Sequence, residues 1–209
     1  DKGYINYQEF NNLGKAVISD DTQMTLFTAN GLLNYITRIT ITNGFHWKTL
    51  IEIITSAYEE WLKTQVGIDN YYYNDPFKCW IRDIKELNVR RAPGNTCISA
   101  LQSLKCGKVE NDSKGCGGVM RVAPIGLLAA VDLQSTTKDY YYGTEVQRRK
   151  WDATQVARLG GDSAAITHKH PLGYLPAAFL ADLIFHILMS EVPLTFGVLE
   201  NYISSVYSD

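Results

Sequence analysis

Residues 47–65 read WKTLIEIITSAYEEWLKTQ, and this stretch decides the fold class. Its apolar residues recur at steps of three and four, which places them along one stripe of an α-helix. The stripe consists of Leu50, Ile51, Ile54, Ala57, Tyr58, Trp61 and Leu62. We therefore predict an amphipathic helix that packs this stripe against a core.

Helical periodicity also dominates the rest of the chain, with five further segments. They are the residues after Asp21, 124–133 with Pro124 in the first turn, 144–161 opened by Thr144 and closed by Gly160 and Gly161, 176–190 led by Pro176, and 196–208. Residues 38–43 (RITITN) alternate briefly, as a strand does, but the segment is short and has helical sequence on both sides. The pattern predicts an all-α protein.

The composition is that of an ordinary globular protein. The chain has 209 residues, of which 45% are hydrophobic and 20% charged, so it can bury a core of useful size. We predict one compact multi-helix domain over residues 1–209, apparently truncated at both ends. Irregular stretches rich in Gly, Asn, Asp and Tyr mark long loops at 67–76, 91–97, 105–119 and 134–143. Loops of such length tend to carry function.

Charge and cysteine usage limit the partners. The net charge of −2 gives no strong attraction to nucleic acid or to an anionic membrane. We find no apolar stretch long enough to span a bilayer and no signal-peptide pattern, so we expect a cytoplasmic protein with neither partner. Cys79, Cys97, Cys106 and Cys116 lack the spacing of a zinc site. Their even number leaves disulfides open, although reduced thiols suit this compartment better.

Two adjacent acids open the first helical segment. Asp20 and Asp21 lie between the hydroxyls of Ser19 and Thr22. These residue types cap a helix N-terminus well, which explains one acid or two. Adjacent carboxylates also repel each other unless a proton or a cation neutralises them, and Mg²⁺ or Ca²⁺ prefers such oxygen ligands. Both interpretations stay open from spacing alone, and a metal would need ligands from elsewhere.

Two later segments offer further candidate residues. Residues 114–128 (KGCGGVMRVAPIGLL) place a glycine-rich loop before a helix, and such a loop can bind phosphate through its N–H groups or be a plain turn. The segment matches neither common nucleotide-binding pattern. His168 and His170 lie two apart and lack zinc partners. Each is either a satisfied core or surface group, or a hydrogen-bonding group beside a polar pocket.

Taken together, these segments resemble the ADP-ribosylglycohydrolase family. The resemblance runs from about residue 16 to 185 and rests on SDDTQMTLFTANGLL, AYEEWLKTQ, RRAPGNTCISAL, KGCGGVMRVAPIGLL and AAITHKHPLGYLPAAFLA in this order. It implies an all-α fold and hydrolysis of the glycosidic bond between ADP-ribose and a modified protein side chain or small molecule. It also implies two Mg²⁺ ions in a central cleft, with Mn²⁺ in some members.

The resemblance also assigns roles to residues. It makes Ser19, Asp20 and Asp21 metal ligands and Thr22 a neighbouring capping residue. It places the glycine loop and the later histidine motif at the ADP-ribose site. The implied substrate contacts are Gly115, Cys116, Gly117, Gly118, Met120, His168, Gly173, Tyr174 and Leu175. Lys169 departs from the glycine that is more common between the two histidines.

Two family motifs are absent from the sequence. An N-terminal GDALG…E segment and a C-terminal GGDTDT segment would add metal ligands and the acid that activates water. The nearest similar segment, GGDSAA at 160–165, lacks the second aspartate, so we interpret Asp162 as a helix-end residue. Either the natural protein is longer, or it is a non-catalytic ADP-ribose-binding or interaction module that has lost part of its metal site.

Overall fold

The computed structural model describes residues 17–42, 47–67, 79–104, 106–134, 139–141, 144–146 and 151–207. Most of these residues are helical. The α-helices are α1 (Asp20–Thr42), α2 (Trp47–Val66), α3 (Asn95–Leu104), α4 (Ala123–Gln134), α5 (Ala153–Ala165), α6 (Pro171–Met189) and α7 (Phe196–Tyr207). Short 3₁₀-helices cover Trp80–Asp83, Lys85–Leu87 and Val119–Arg121. One antiparallel hairpin pairs β1 (Asp139–Tyr141) with β2 (Thr144–Val146). The all-α prediction is confirmed.

The core lies between α1, α2, α4, α5 and α6. Helix α1 packs on α2 and α4, while α6 packs on α5 and α4. The stripe predicted on α2 faces this core, and Tyr58 and Trp61 are completely buried in it. Glycines allow the closest approach between helices: a Cβ on Gly160 would lie 2.7 Å from the carbonyl oxygen of Ala177 on α6.

The helix predicted at 144–161 starts and ends elsewhere. Thr144–Val146 is strand β2, and α5 begins only at Ala153. Asp152 supplies the N-cap, since its carboxylate accepts a hydrogen bond from the N–H of Gln155 at 2.8 Å. Gly160 and Gly161 do not end the helix but lie buried inside it. Their missing side chains are needed where α5 meets α6, which outweighs the low helix propensity of glycine.

Helix α6 begins five residues earlier than predicted. His170 caps it by accepting from the N–H of Leu172 at 3.0 Å, and Pro171 occupies the first turn. Pro176 therefore lies inside the helix, where it leaves the carbonyl of Leu172 without its helical donor. Both residues are exposed, so water can bond that carbonyl.

The irregular segments are partly as predicted. Residues 106–118 contain no helix or strand, whereas the predicted loop at 91–97 ends at Gly94 because α3 begins at Asn95. The predicted loop at 134–143 contains the end of α4 and strand β1, and the loop at 67–76 lies outside the described residues beyond position 67. The strand-like RITITN segment is helical as far as Thr42.

Helix α6 is, by length and composition, apolar enough to cross a membrane, against the expectation from the sequence. The core helix of a soluble protein meets the same criteria. In this structure α6 packs on α4 and α5. It also carries the buried Asp182, which accepts a hydrogen bond from Tyr202 of α7. The ring of Tyr202 stacks on His186 at 3.9 Å between centroids. Length and composition alone therefore do not assign α6 to a bilayer.

Candidate functional site

The N-terminus of α1 holds the paired acids in two different environments. Asp20 is 8% exposed, whereas Ser19 and Asp21 are exposed. The hydroxyl of Ser19 donates to Oδ2 of Asp21 at 2.6 Å. The two carboxylates therefore differ in burial and in hydrogen bonding, which simple capping of a surface helix would not require.

Asp20 is buried because residues 91–94 fold over it. Its backbone N–H donates to the carbonyl oxygen of Arg91 at 2.9 Å, and its Oδ2 accepts from the N–H of Gly94 at 3.2 Å. Between these two contacts Ala92 has a φ of +52°, in the left-handed region that favours glycine. Such backbone strain persists where surrounding contacts fix the chain, and it often occurs at functional sites.

The electrostatics of Asp20 favour a neutralising partner. Burial raises the pKa of its carboxyl, the Gly94 N–H lowers it, and the charge of Asp21 raises it further. The net shift is upward, so the ionised pair is costly as it stands. A cation beside these oxygens would offset the repulsion and the loss of solvation, because it stabilises the ionised form of both carboxylates.

The glycine loop packs directly on His168. A Cβ added to Gly117 would lie 2.8 Å from Cε1 of His168 and 2.8 Å from Sγ of Cys97. A Cβ on Gly115 would lie 3.6 Å from Nε2 of the same histidine. Within the described chain, no acceptor is found for the backbone N–H groups of Cys116 and Gly117. The loop therefore combines close backbone approach with N–H groups that remain available to an anion.

Two contacts tie this loop to the helices on either side. The single hydroxyl proton of Thr25 is shared between the carbonyl oxygens of Asp21, at 2.8 Å, and Met120, at 3.1 Å, so it joins the acidic N-terminus of α1 to the loop. On the other side, a Cβ on Gly118 would lie 2.8 Å from the carbonyl oxygen of Gly173 at the start of α6. The three predicted segments thus converge.

His168 is buried and neutral at physiological pH. It is 2% exposed, and burial together with the nearby Arg121 lowers its pKa from 6.5 to about 4. Its Nδ1 lies 2.9 Å from the hydroxyl of Thr167. An uncharged imidazole next to a glycine loop can act as a hydrogen-bond donor to an oxygen atom.

Arg121 is the site residue that sequence reasoning missed. It is completely buried, and the contacts of its guanidinium in the described chain are all with neutral groups. Nη2 donates to the carbonyl oxygen of Ser163 at 3.0 Å and to Oγ1 of Thr167 at 2.8 Å, and the guanidinium lies 4.1 Å from the ring centre of Tyr58. The signal was available, because a charged residue stood between the glycine loop and the apolar α4.

Other predicted substrate contacts are less tightly grouped. Gly173 is buried against Ser113, and Tyr174 packs on the core. Leu175 is 54% exposed. Asp162 accepts from the indole N–H of Trp47 at 3.0 Å and lies 3.5 Å from Arg158, in the last turn of α5.

The donor set at the N-terminus of α1 suits a hard divalent cation but is incomplete. Two carboxylates and a hydroxyl offer the oxygen atoms that Mg²⁺ prefers. In the part of the chain that the structure describes, no group of three or more His, Cys, Asp or Glu side chains could hold a metal ion. All four cysteines are free thiols, and Cys79 and Cys97 are buried. Ser19, Asp20 and Asp21 would therefore need further ligands.

Fold and site together define an all-α protein in which a helix N-terminus, a glycine loop and a neutral histidine meet. The sequence model of the ADP-ribosylglycohydrolase family matches residues 2–207 of the 209. The chain belongs to the ADP-ribosylglycohydrolase family, which makes it a hydrolase of this general type. Neither the comparison with curated proteins nor the comparison with solved structures found a match.

Proposed function

We propose that the protein cleaves the glycosidic bond between ADP-ribose and a modified protein side chain or small molecule, using Mg²⁺. The observation that carries the proposal is the Thr25 hydroxyl, which links the acidic end of α1 to the glycine loop. It brings a candidate cation site next to a candidate phosphate site, and the proposed Mg²⁺-assisted reaction uses both.

The acidic end of α1 would hold the metal. Ser19, Asp20 and Asp21 are the proposed ligands, for two Mg²⁺ ions or for Mn²⁺. When bound, such ions orient ribose hydroxyls and water and stabilise charge in the transition state. The upward shift of the Asp20 pKa supports this role, because a buried carboxylate beside a second one gains most from a cation.

The glycine loop and His168 would hold ADP-ribose. The N–H groups of Cys116 and Gly117 are proposed donors to the diphosphate, and His168 is a proposed contact at the edge of the loop. Backbone donors suit a chain with a net charge of −2, because they bind an anion without a basic patch. The remaining substrate contacts, Gly115, Gly118, Met120, Gly173, Tyr174 and Leu175, and the cytoplasmic location stay predictions.

The experiment measures release of ADP-ribose from ADP-ribosylated protein and from small conjugates, with Mg²⁺ and with chelator. We expect release only with Mg²⁺, and we expect Asp20→Asn and Asp21→Asn to reduce it by on the order of 100-fold or more. Asp152→Asn is the matched control, since it also changes an acid at a helix N-terminus and keeps the cap. Full turnover by both α1 variants would contradict the ligand assignment.

A non-catalytic ADP-ribose-binding or interaction module is the second candidate. It is favoured by the absence, among the described residues, of a group of three metal-binding side chains. Calorimetry separates the two: binding of ADP-ribose without release of it from any conjugate would identify a binding module. Release that requires Mg²⁺ would exclude this candidate.

A further inference from the structure

Thr167 lies between a buried cation and the site histidine. Its Oγ1 accepts a hydrogen bond from Nη2 of Arg121 at 2.8 Å and lies 2.9 Å from Nδ1 of His168. A guanidinium can only donate, so the direction of the first bond is fixed. The direction of the second bond decides which ring nitrogen of His168 carries the proton.

Apart from Sγ of Cys97, which as a sulfur is a weak acceptor, the hydroxyl proton of Thr167 has two candidate acceptors. One is the carbonyl oxygen of Ala164, at 3.5 Å, and the other is Nδ1 of His168, at 2.9 Å. The Ala164 oxygen already accepts from the backbone N–H groups of Thr167 at 3.1 Å and His168 at 3.0 Å. Both of its lone pairs are therefore engaged. The proton goes to Nδ1, which makes Nδ1 an acceptor and leaves the ring proton on Nε2.

The other ring nitrogen faces the glycine loop. Nε2 lies 3.6 Å from the position of a Cβ on Gly115 and 3.2 Å from that of a Cβ on Gly117. No hydrogen-bond partner of Nε2 is found in the described chain. A donor without an acceptor therefore points at the segment that the proposed function assigns to ADP-ribose.

We propose that Thr167, oriented by Arg121, is a positioning residue that holds His168 as the tautomer protonated on Nε2. In this form Nε2–H donates to an oxygen atom of the ADP-ribose moiety on the glycine loop. The ligand part of this inference rests on the proposed function, whereas the tautomer is a property of the free protein.

The charge of Arg121 has a second effect on the same ring. It adds to burial in lowering the His168 pKa to about 4, so the imidazole stays neutral at physiological pH. Among the other charged groups in this region, Oδ1 of Asp112 lies 3.8 Å from Nε2 of His170, and Lys169 is exposed. A neutral ring with a defined tautomer offers one donor of fixed direction.

The experiment records the ¹⁵N NMR signals of the histidine rings in the ligand-free protein at neutral pH. The chain has four histidines, and His168→Gln identifies the signals of position 168. We expect a proton on Nε2 and none on Nδ1. Thr167→Val removes the hydroxyl at similar volume and should give a tautomer mixture. ADP-ribose affinity should then fall about tenfold, the effect of one hydrogen bond.

Two variants serve as controls for Thr167→Val. Thr167→Ser keeps the hydroxyl and should restore the Nε2–H tautomer and the affinity, whereas Thr154→Val, at an exposed position of α5, should change neither. A proton on Nδ1 in the unaltered protein overturns the inference, and so does an unchanged tautomer in Thr167→Val. The first of these results is measured on the unaltered protein, so it does not depend on whether a variant folds.

The outcomes separate the two proposals. An Nε2–H tautomer in a protein that binds no ADP-ribose would support the positioning role and contradict the proposed function. Binding of ADP-ribose by a protein with the proton on Nδ1 would do the opposite.

Discussion

Gly117→Ala tests the packing on which the site depends. The added methyl group would lie 2.8 Å from both Sγ of Cys97 and Cε1 of His168, and 3.2 Å from Nε2 of His168. Ordinary contacts between such atoms are about 3.5–4.0 Å. Cys97 and His168 are 1% and 2% exposed, so neither side chain can move into solvent to make room. Overpacking of this kind costs about 1–3 kcal/mol.

Two measurements follow from that estimate. For a chain of this length, a loss of about 1–3 kcal/mol lowers Tm by roughly 2–12 °C, which thermal unfolding detects. Displacement of His168 should also weaken ADP-ribose binding about tenfold or more, since the loop and the imidazole form one surface. Calorimetry with ADP-ribose measures this second effect.

Gly197→Ala is the matched control for Gly117→Ala. It makes the same substitution in α7, where, apart from the neighbouring residues of the helix itself, no atom of the described residues lies within 4 Å of the new methyl group. We expect it to be neutral or to stabilise by about 0.5–1 kcal/mol, because alanine is the better helix former. Unchanged Tm and affinity in Gly117→Ala would refute the reasoning, since the loop would then not pack on His168.

Two further predictions follow from the site. The pKa of His168 is about 4 in the folded protein and 6.5 as an unperturbed group, so only the unfolded chain gains a proton between these values. The free energy of unfolding, measured with urea, should therefore fall by up to roughly 3 kcal/mol as the pH drops from 6.5 to 4. His168→Gln should lack this loss. The same pH dependence in His168→Gln and in the unaltered protein would contradict the assignment. Thr25→Val should lose about 1 kcal/mol of stability, together with ADP-ribose affinity, because it releases Met120 from α1. Thr37→Val is the control, because it loses only a hydrogen bond to Leu33 of the same helix, so its ADP-ribose affinity should be unchanged. Equal losses of affinity in the two variants would contradict the role of Thr25 in linking α1 to Met120.

Much of the fold was predictable from local pattern. The stripe on α2 follows from a period of 3.6 residues, and burial of Tyr58 and Trp61 confirms it. Helix boundaries were less predictable, because a glycine or a proline ends a helix only where the surrounding structure allows it. Gly160 should have ended α5, but its lack of a side chain lets α6 approach, and Pro176 is tolerated inside α6 because it is exposed there.

The site, like the fold, was predictable from the sequence only in part. Its components could be found in the sequence: the paired acids, the glycine loop and the histidine each have a recognisable local chemistry. Arg121 was missed although its charge beside the apolar α4 was visible in the sequence, because a buried arginine without a carboxylate is uncommon. Its contacts with Ser163, Thr167 and Tyr58 join residues that are distant in the sequence. These partners come from α2, α5 and the turn that follows α5, and only folding brings them together.

The sequence by itself determined the helical class, the family and the residue types of the site, because periodicity and motif spacing act over a few neighbouring residues. Only the tertiary structure decided which acid is buried, which loop covers it and which way the histidine is held. The contact between Asp20 and Gly94 spans 74 residues, and the contact between Thr25 and Met120 spans 95. Burial and hydrogen-bond direction depend on such distant partners, whose identity no local pattern contains.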